Sequence, residues 1–281
     1  MSQKGSLVST EHTKPAGEGM RQVNLIVHGA TGRMGRRIMD LAGASSRWRV
    51  VAAASRAGLS AVKDSAQGAG AQASLSPQNA QDMANLADCA DLVIDFSSDE
   101  GARAAAAMAQ RIGCALLTGS TGLSQPTIDA LRELAARAPV LVAPNTSRAV
   151  AVVARLAAQA AALGKDFDPV IIETHHTAKR DAPSGTAIRL AEAMRAAGAY
   201  LPDNQVISVR AGHVVGEHII RFEGRYESVE IIHRAFSRDV FAAGALDAGL
   251  WLIEQAPGWY AMEDVLGFVP DAGMIAARSR K

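Results

Sequence analysis

Residues Val23-Asn24-Leu25-Ile26-Val27 form a short apolar run that leads into Gly29-Ala30-Thr31-Gly32-Arg33-Met34-Gly35, and no other stretch narrows the fold so far. A short apolar run of this kind is the pattern of a parallel strand buried on both faces. After it, Ile38, Leu41 and Ala42 recur at helical spacing, so a helix follows the glycine turn. Gly29 permits a tight turn, Gly32 lets a diphosphate come close to the backbone, and Gly35 lets the helix pack near the strand. Strand, GxxGxxG turn and helix in that order predict a dinucleotide-binding unit in which Gly29, Ala30, Thr31, Gly32, Arg33 and Met34 meet the cofactor.

The rest of the first half repeats the alternation. Arg49 to Ala54 reads as a second strand, ending at Ser55 and Arg56. A domain selecting NAD places a carboxylate there to bind the ribose hydroxyls; a serine and an arginine instead accept a 2′-phosphate, which leans the cofactor towards NADPH with NADH use left open. Residues 57–81, rich in Ala, Gly, Ser and Gln, are expected to form a loop with little structure of its own. Strands are expected at Asp91 to Ser97, Cys114 to Leu117 and Val140 to Ala143, with helices from Glu100 to Arg111 and from Gln125 to Arg137 between them. Ligands of open parallel sheets bind beyond the carboxyl ends of the strands, so Gly119, Ser120 and Thr121 should edge the nicotinamide site. By the same placement Ala143, Pro144, Asn145 and Thr146, at the end of the last of these strands, should form part of the nicotinamide pocket, and Pro144 to Ser147 lead from it into the second half of the chain, where a hinge is expected.

Chemistry concentrates in that second half, from Glu173-Thr174-His175-His176-Thr177-Ala178-Lys179-Arg180-Asp181 to Ala182-Pro183-Ser184-Gly185-Thr186. The apolar run Val170 to Ile172 precedes it, and Ala187, Leu190, Ala191 and Met194 mark one face of a helix after it, stopped by Gly198. The stretch is therefore a strand-to-helix connection that gathers two imidazoles, an ammonium and a guanidinium beside a helix start. Pro183 and Ser184 suit that start, and the amides of Gly185 and Thr186 lack partners within the helix, a combination that suits a carboxylate. For a dicarboxylate substrate that must also accept a proton, His175 and Lys179 are the donors, since a neighbouring cation and partial desolvation lower a lysine's pKa.

Composition excludes several alternatives. A formal net charge of +1 over 281 residues creates no global field for nucleic acid or membrane, so anion binding has to be local. No apolar run approaches the length of a membrane span, and Cys89 and Cys114 lack CxxC spacing, which reads as two reduced, buried thiols in a cytoplasmic protein. Residues 1–20 lack the apolar core of a signal peptide and are expected to be a disordered extension. His213, His218 and His233 stand at no consistent ligand spacing, and no metal site is expected. Val206 to Val209, His218 to Phe222 and Val229 to Ile232 alternate as sheet strands do, and helices are expected from Val150 to Leu163 and from Val240 to Glu254.

The Glu173 to Thr186 stretch resembles the E-[AT]-H-H-x-x-K-x-D-x-P-S-G-T signature of the dihydrodipicolinate reductase family. Further resemblances run in the family's order: Gly29 to Gly35 to G-A-x-G-R-M-G, Ile94 to Ser97 to I-D-F-S, Ala143 to Ser147 to A-x-N-x-S, Val209 to His218 to V-R-A-G-x-x-x-G-E-H, and Met262 to Leu266 to M-x-D-V-L. The resemblance implies an α/β fold: a Rossmann-like dinucleotide-binding domain from residues 21–147 and 240–281, and an α+β substrate-binding and oligomerisation domain with an open mixed sheet from residues 148–239. It implies His175 as the general acid/base, Lys179 as assisting proton donor, and His176, Lys179, Ser184, Gly185 and Thr186 as holders of a small dicarboxylate. A homotetramer built through the second sheet is implied as well.

Departures fall mainly on the substrate side. Ser55 stands where some members carry an acid, and Ser120 where threonine is usual. Arg148 and Ala149 replace an apolar residue and a glycine, and the segment before Val209 is short, lacking an R-x-x-G-x-I-G portion. These departures keep open a paralogous reductase of another cyclic imine or keto acid, beside a non-catalytic NADPH-binding sensor.

Overall fold

A computed structural model describes residues 21–55, 58–62, 72–75 and 90–268, the two short segments as backbone strands. The expected amino-terminal extension, Arg56, Cys89 and residues 269–281 lie outside the described residues.

Two sheets organise the chain. The larger has the order β12-β7-β6-β5-β1-β2-β3-β4. Its central strands are β1 (Val23–His28), β2 (Trp48–Ser55), β5 (Leu92–Asp95), β6 (Ala115–Thr118) and β7 (Pro139–Val142), all parallel to their neighbours among these. Leu25, Ile26, Leu92, Ile94, Leu116 and Leu117 are wholly buried, as strands covered on both faces must be. One face carries α1 (Arg33–Gly43) and α6 (Asp239–Leu252), packed through Ile38, Ala42, Ala245 and Leu252. The other carries α2 (Asp99–Ile112) and α3 (Gln125–Ala135), packed through Ala105, Ala109, Leu131 and Leu134.

Local chemistry explains where these helices start and stop. The Ser98 hydroxyl caps α2 by accepting from the Gly101 amide at 3.3 Å, Asp99 and Glu100 fill its first turn, and Gly113 closes it at φ 79°. Strand order reverses between β1 and β5, so β1 and its glycine turn stand at the crevice where such sheets bind ligands.

Three differences from the sequence reading belong to the edges of this sheet and to the helix that leaves it. Residues 57–81, expected as a loop, include β3 (Gly58–Val62) and β4 (Gln72–Leu75), an antiparallel extension beyond β2. Strands of four or five residues with no clear alternation, set among Gly, Ser and Gln, leave little pattern to read when their pairing is supplied by a neighbour at a sheet edge. β12 (Gly258–Tyr260), three residues long and unforeseen, pairs in parallel with β7 at the opposite edge. The helix expected to run to Leu163 ends earlier: α4 (Arg148–Ala160), capped by Ser147, gives way to a 3-10 turn at Ala161–Asp166.

The smaller sheet has the order β11-β10-β8-β9 and mixes directions. β8 (Phe167–His175) is antiparallel to β10 (Gly216–Gly224) and parallel to β9 (Val206–Arg210), while β11 (Ser228–Ala235) closes the edge against β10. One face is covered by α4 and by α5 (Gly185–Ala196), which buries Ala187, Leu190, Ala191 and Met194, the four residues its spacing marked. Glu173 and His175 belong to β8 itself rather than to the loop.

Register sets three successive rows on the covered face. Ile171, Ile220 and Ile231 form an apolar row packed against the helices. Next come Ser208, Glu173, His218 and His233, and then Arg210, His175 and Gly216 at the end of the sheet. The last helix among the described residues, α7 (Met262–Val265), follows β12, and Met262 packs in the larger core. Among the described residues no helix is long and apolar enough to cross a membrane.

Candidate active site

The two sheets face one another across a cleft of about 990 Å³. Arg33, Met34, Phe96, Gly119, Thr121, Pro144, Asn145 and Thr146 line it from the larger sheet. From the smaller sheet come His175, His176, Lys179, Arg180, Asp181, Ser184, Gly185 and Thr186.

The larger-sheet wall is shaped by close backbone approach. A Cβ at Gly35 would lie 2.2 Å from the Gly29 carbonyl oxygen, and one at Gly119 would lie 2.2 Å from the Phe96 ring. Gly29 itself has φ 80° and sits against the Phe96 carbonyl, so the turn admits no side chain there. The first turn of α1 carries no acidic residue and Gly32 provides no side-chain cap, so neither competes with an anion for the first-turn amides. This cradle fits the diphosphate of a dinucleotide.

One buried carboxylate fastens the loops together. Asp95, at the end of β5, accepts from Ser97, from Thr118 at 2.8 Å and from Ser120 at 2.7 Å, and lies 2.8 Å from His28 Nδ1. Ser120 also accepts from the Ser97 amide at 2.9 Å. Ser120 and Ala143, expected at the cofactor, are therefore behind the cleft wall, 4% and 1% exposed. Gly29, Ala30, Thr31 and Gly32 form the turn beside the cleft, with Ser55 at the end of β2; Arg56, the other half of the proposed 2′-phosphate contact, is outside the described residues.

The smaller-sheet wall is built around Glu173. Its side chain is wholly buried, accepting from Arg210 Nη2 at 2.8 Å, from the Ser184 amide at 3.2 Å and from His175 Nδ1 through a short contact. Burial alone would raise this carboxyl, but the bonds from Arg210, Ser208 and His175 outweigh it and hold it at about 2. Burial depresses His175, Glu173 pulls it back up, and Lys179 and Arg210 push it down again; the net direction is below the ordinary imidazole value. His175 thus donates from Nδ1 to Glu173, which leaves Nε2 as the nitrogen able to take or give a proton.

Lys179 differs from expectation in its surroundings. Its ammonium donates to both oxygens of Asp181, at 2.8 and 2.7 Å, so its close partner is a carboxylate and not the cation expected. Asp181 is held below the usual carboxylate range by that bond.

The turn into α5 is ordered from two sides. Ser184 Oγ accepts from the Ala187 amide at 3.2 Å, and Asn145 Nδ2, from the other wall, donates to Thr186 Oγ1 at 2.9 Å. Asn145 Oδ1 in turn accepts from the Ser147 amide at 2.9 Å, and Thr146 Oγ1 donates to the Phe241 carbonyl at 2.6 Å. The expected hinge is therefore the segment that physically joins the walls.

Arg148 does not enter the cleft. It lies 3.3 Å from Asp247 on α6, both half exposed. Sequence reasoning passed over Phe96, Ile188, Arg189, Glu192, Val215, Arg238 and Phe241 as cleft residues, and the dependence of His175 on Glu173 and Arg210. Only the one-residue spacing of Glu173 and His175 on a strand, which puts both on one face, pointed to the last. Cys114 is buried, which pushes its thiol up to about 12. Among the described residues no group of His, Cys, Asp and Glu could hold a metal ion.

A glycine cradle at the switch point of a doubly wound sheet, facing a loop of proton donors across one cleft, defines a nicotinamide-dinucleotide-dependent oxidoreductase. Comparison with known proteins makes this particular. Residues 23–146 match the family described as dihydrodipicolinate reductase, N-terminus, and residues 149–266 match dihydrodipicolinate reductase, C-terminus. The 4-hydroxy-tetrahydrodipicolinate reductase of Myxococcus xanthus (strain DK1622) is 40% identical over 269 residues, covering 88% of this chain and 98% of its own. That of Stenotrophomonas maltophilia (strain K279a) is 39% identical over 246 residues, covering 87% and 98%. The dipicolinate-bound dihydrodipicolinate reductase of Paenisporosarcina sp. TG-14 shares the fold, with a TM-score of 0.68, 18% identity, and coverage of 86% of this chain and 98% of its own. The chain belongs to the dihydrodipicolinate reductase family.

Proposed function

We propose that the chain reduces 4-hydroxy-tetrahydrodipicolinate to tetrahydrodipicolinate, with NADPH the preferred reductant and NADH the alternative. The observation that carries this is the facing of the glycine cradle and the His175-Lys179 loop across a single cleft. When bound, the nicotinamide supplies a hydride; with one proton it replaces the ring hydroxyl, which leaves as water, so atoms and charge balance. The chain's part is to hold two acid groups and deliver the proton. His176, Lys179, Ser184 and the amides of Gly185 and Thr186 receive the carboxylates, with Lys179 turning from Asp181 as the substrate arrives. His175, oriented by Glu173, gives or takes the proton at Nε2, and Lys179 assists. Asn145 bridging to Thr186 fixes the separation that hydride transfer requires.

The same reading assigns residues 21–147 and 240–281 to a nucleotide unit and residues 148–239 to a substrate unit. The resting of α6 on the larger sheet and the pairing of β12 with β7 support it. It also takes the open face of the small sheet as the site of homotetramer assembly: Ile232, Ile219, Ile172 and Ile207 form an apolar row across four strands, with Ile232 and Ile207 41% and 43% exposed. The test is an assay of freshly generated 4-hydroxy-tetrahydrodipicolinate beside a panel of cyclic imines and keto acids, with each nicotinamide cofactor. Turnover confined to another imine would replace this substrate, and cofactor binding with no turnover would point to a sensor.

A further inference from the structure

His218 stands in the polar row beneath the cleft, 4% exposed, and has no part in the chemistry described so far. It faces Glu173 and His175 on β8, His233 on β11 and Ser184 at the α5 cap, with the Lys179 ammonium farther out. Its ring meets His175 edge to face, centroids 5.3 Å apart at 76°, and His233 at 6.0 Å. Its Nε2 lies 3.2 Å from Ser184 Oγ, while its buried Nδ1 has no hydrogen-bond partner among the described residues.

These contacts determine where two protons sit. A buried N–H without a partner costs more than an unused ring lone pair, so the imidazole carries its proton on Nε2 and donates it to Ser184 Oγ. Ser184 Oγ already accepts from the Ala187 amide at 3.2 Å. A hydroxyl has two acceptor positions and one donor. With both acceptor positions filled from within the protein, the Ser184 proton has no inward partner among the described residues and turns to the cleft that this residue lines.

We propose that His218 is a positioning residue that makes Ser184 a hydrogen-bond donor to a substrate carboxylate. The assignment rests on the reading of the cleft as a dicarboxylate site and deepens it, because neither His218 nor its bond to Ser184 touches the reacting atoms. Burial first, then the charges of His175 and His233, hold the His218 imidazole down at about 3. The ring stays neutral through the working range, and the orientation it imposes on Ser184 does not change with pH there.

The test measures binding of pyridine-2,6-dicarboxylate by calorimetry to the full chain saturated with NADPH, for wild type, His218→Leu, His218→Gln, Ser184→Ala and the Leu/Ala double variant. Gln places an amide donor near the Nε2 position and Leu places none. A charge-assisted hydrogen bond lost or misdirected should weaken binding by roughly tenfold to a hundredfold in His218→Leu, with His218→Gln near wild type. Ser184→Ala should then cost far less in the Leu background than in wild type, and NADPH affinity should be the same throughout. Equal binding by His218→Leu and wild type, or equal effects of Ser184→Ala in both backgrounds, overturns the proposal. If His218→Leu does not fold, His218→Asn, whose amide lies near the Nδ1 position, replaces it: weak binding beside a tight Gln variant supports the proposal, and equal binding by Asn and Gln overturns it. A wild-type protein that binds no pyridine-2,6-dicarboxylate refutes the reading of the cleft itself, a failure distinct from one seen only in the variants.

Discussion

Replacing Glu173 by Gln isolates the contribution of one buried charge. The carboxylate is held at about 2 against an ordinary value of 4.5, a difference equivalent to roughly 3 kcal/mol of folding stability. Breaking a buried charge pair from one side costs about 3–5 kcal/mol, so both routes predict a substantial loss in urea unfolding at neutral pH. The sign with pH is fixed. Glu173 is depressed in the folded state, so its contribution is complete above about 4.5 and fades as pH falls towards about 2. The gap between wild type and Glu173→Gln should therefore narrow in acid. Kinetics gives a second reading of the same charge. Glu173 raises His175, opposing burial, and its charge-assisted bond is worth about 1.5–3 kcal/mol. Without the charge, His175 should titrate lower, which proton NMR of the ring can follow. The alkaline fall of kcat/KM, where protonated His175 is used up, should move down in parallel. An unmoved His175 titration together with an unmoved kinetic limb would refute the idea that Glu173 tunes the proton donor.

The geometry sets three other outcomes. Lys179→Ala should leave NADPH affinity near wild type while lowering kcat/KM by on the order of a hundredfold or more, and equal losses in both would mean that the loop shapes the cofactor site instead. Gly35→Ala puts a methyl group 2.2 Å from the Gly29 carbonyl oxygen, with backbone rather than a mobile side chain in the way. Denaturant melts should show about 1–3 kcal/mol lost, and cofactor affinity should fall because α1 is pushed from the turn. Arg148→Ala removes only a half-exposed pair with Asp247, so stability should change by less than about 1 kcal/mol and the substrate KM should hold; a large KM change would restore Arg148 to the substrate site.

Legibility followed distance along the chain. The strand, turn and helix at residues 23–43 could be read because each signal lies within a few residues of the next, as do the Ser184 cap and the buried face of α5. The edges were another matter. β12 has three residues and no pattern, and β3 and β4, five and four residues of mixed character inside a stretch rich in small residues, do not announce themselves. Arg148, a departure that raised doubt about the substrate, turned out to point at α6.

By itself the sequence determined a nucleotide-binding turn, a basic loop at a helix start and the family to which both belong, because these are written in contiguous residues. Only the tertiary structure decided that the loop looks at the turn, that Arg210 holds Glu173 while Glu173 holds His175, and that His218 lies under Ser184. Those relations depend on the register of β8 between β9 and β10 and on Asn145 reaching Thr186. A slip of one residue in that register would turn Glu173 and His175 to the opposite face, and no spacing along the chain records which register is adopted.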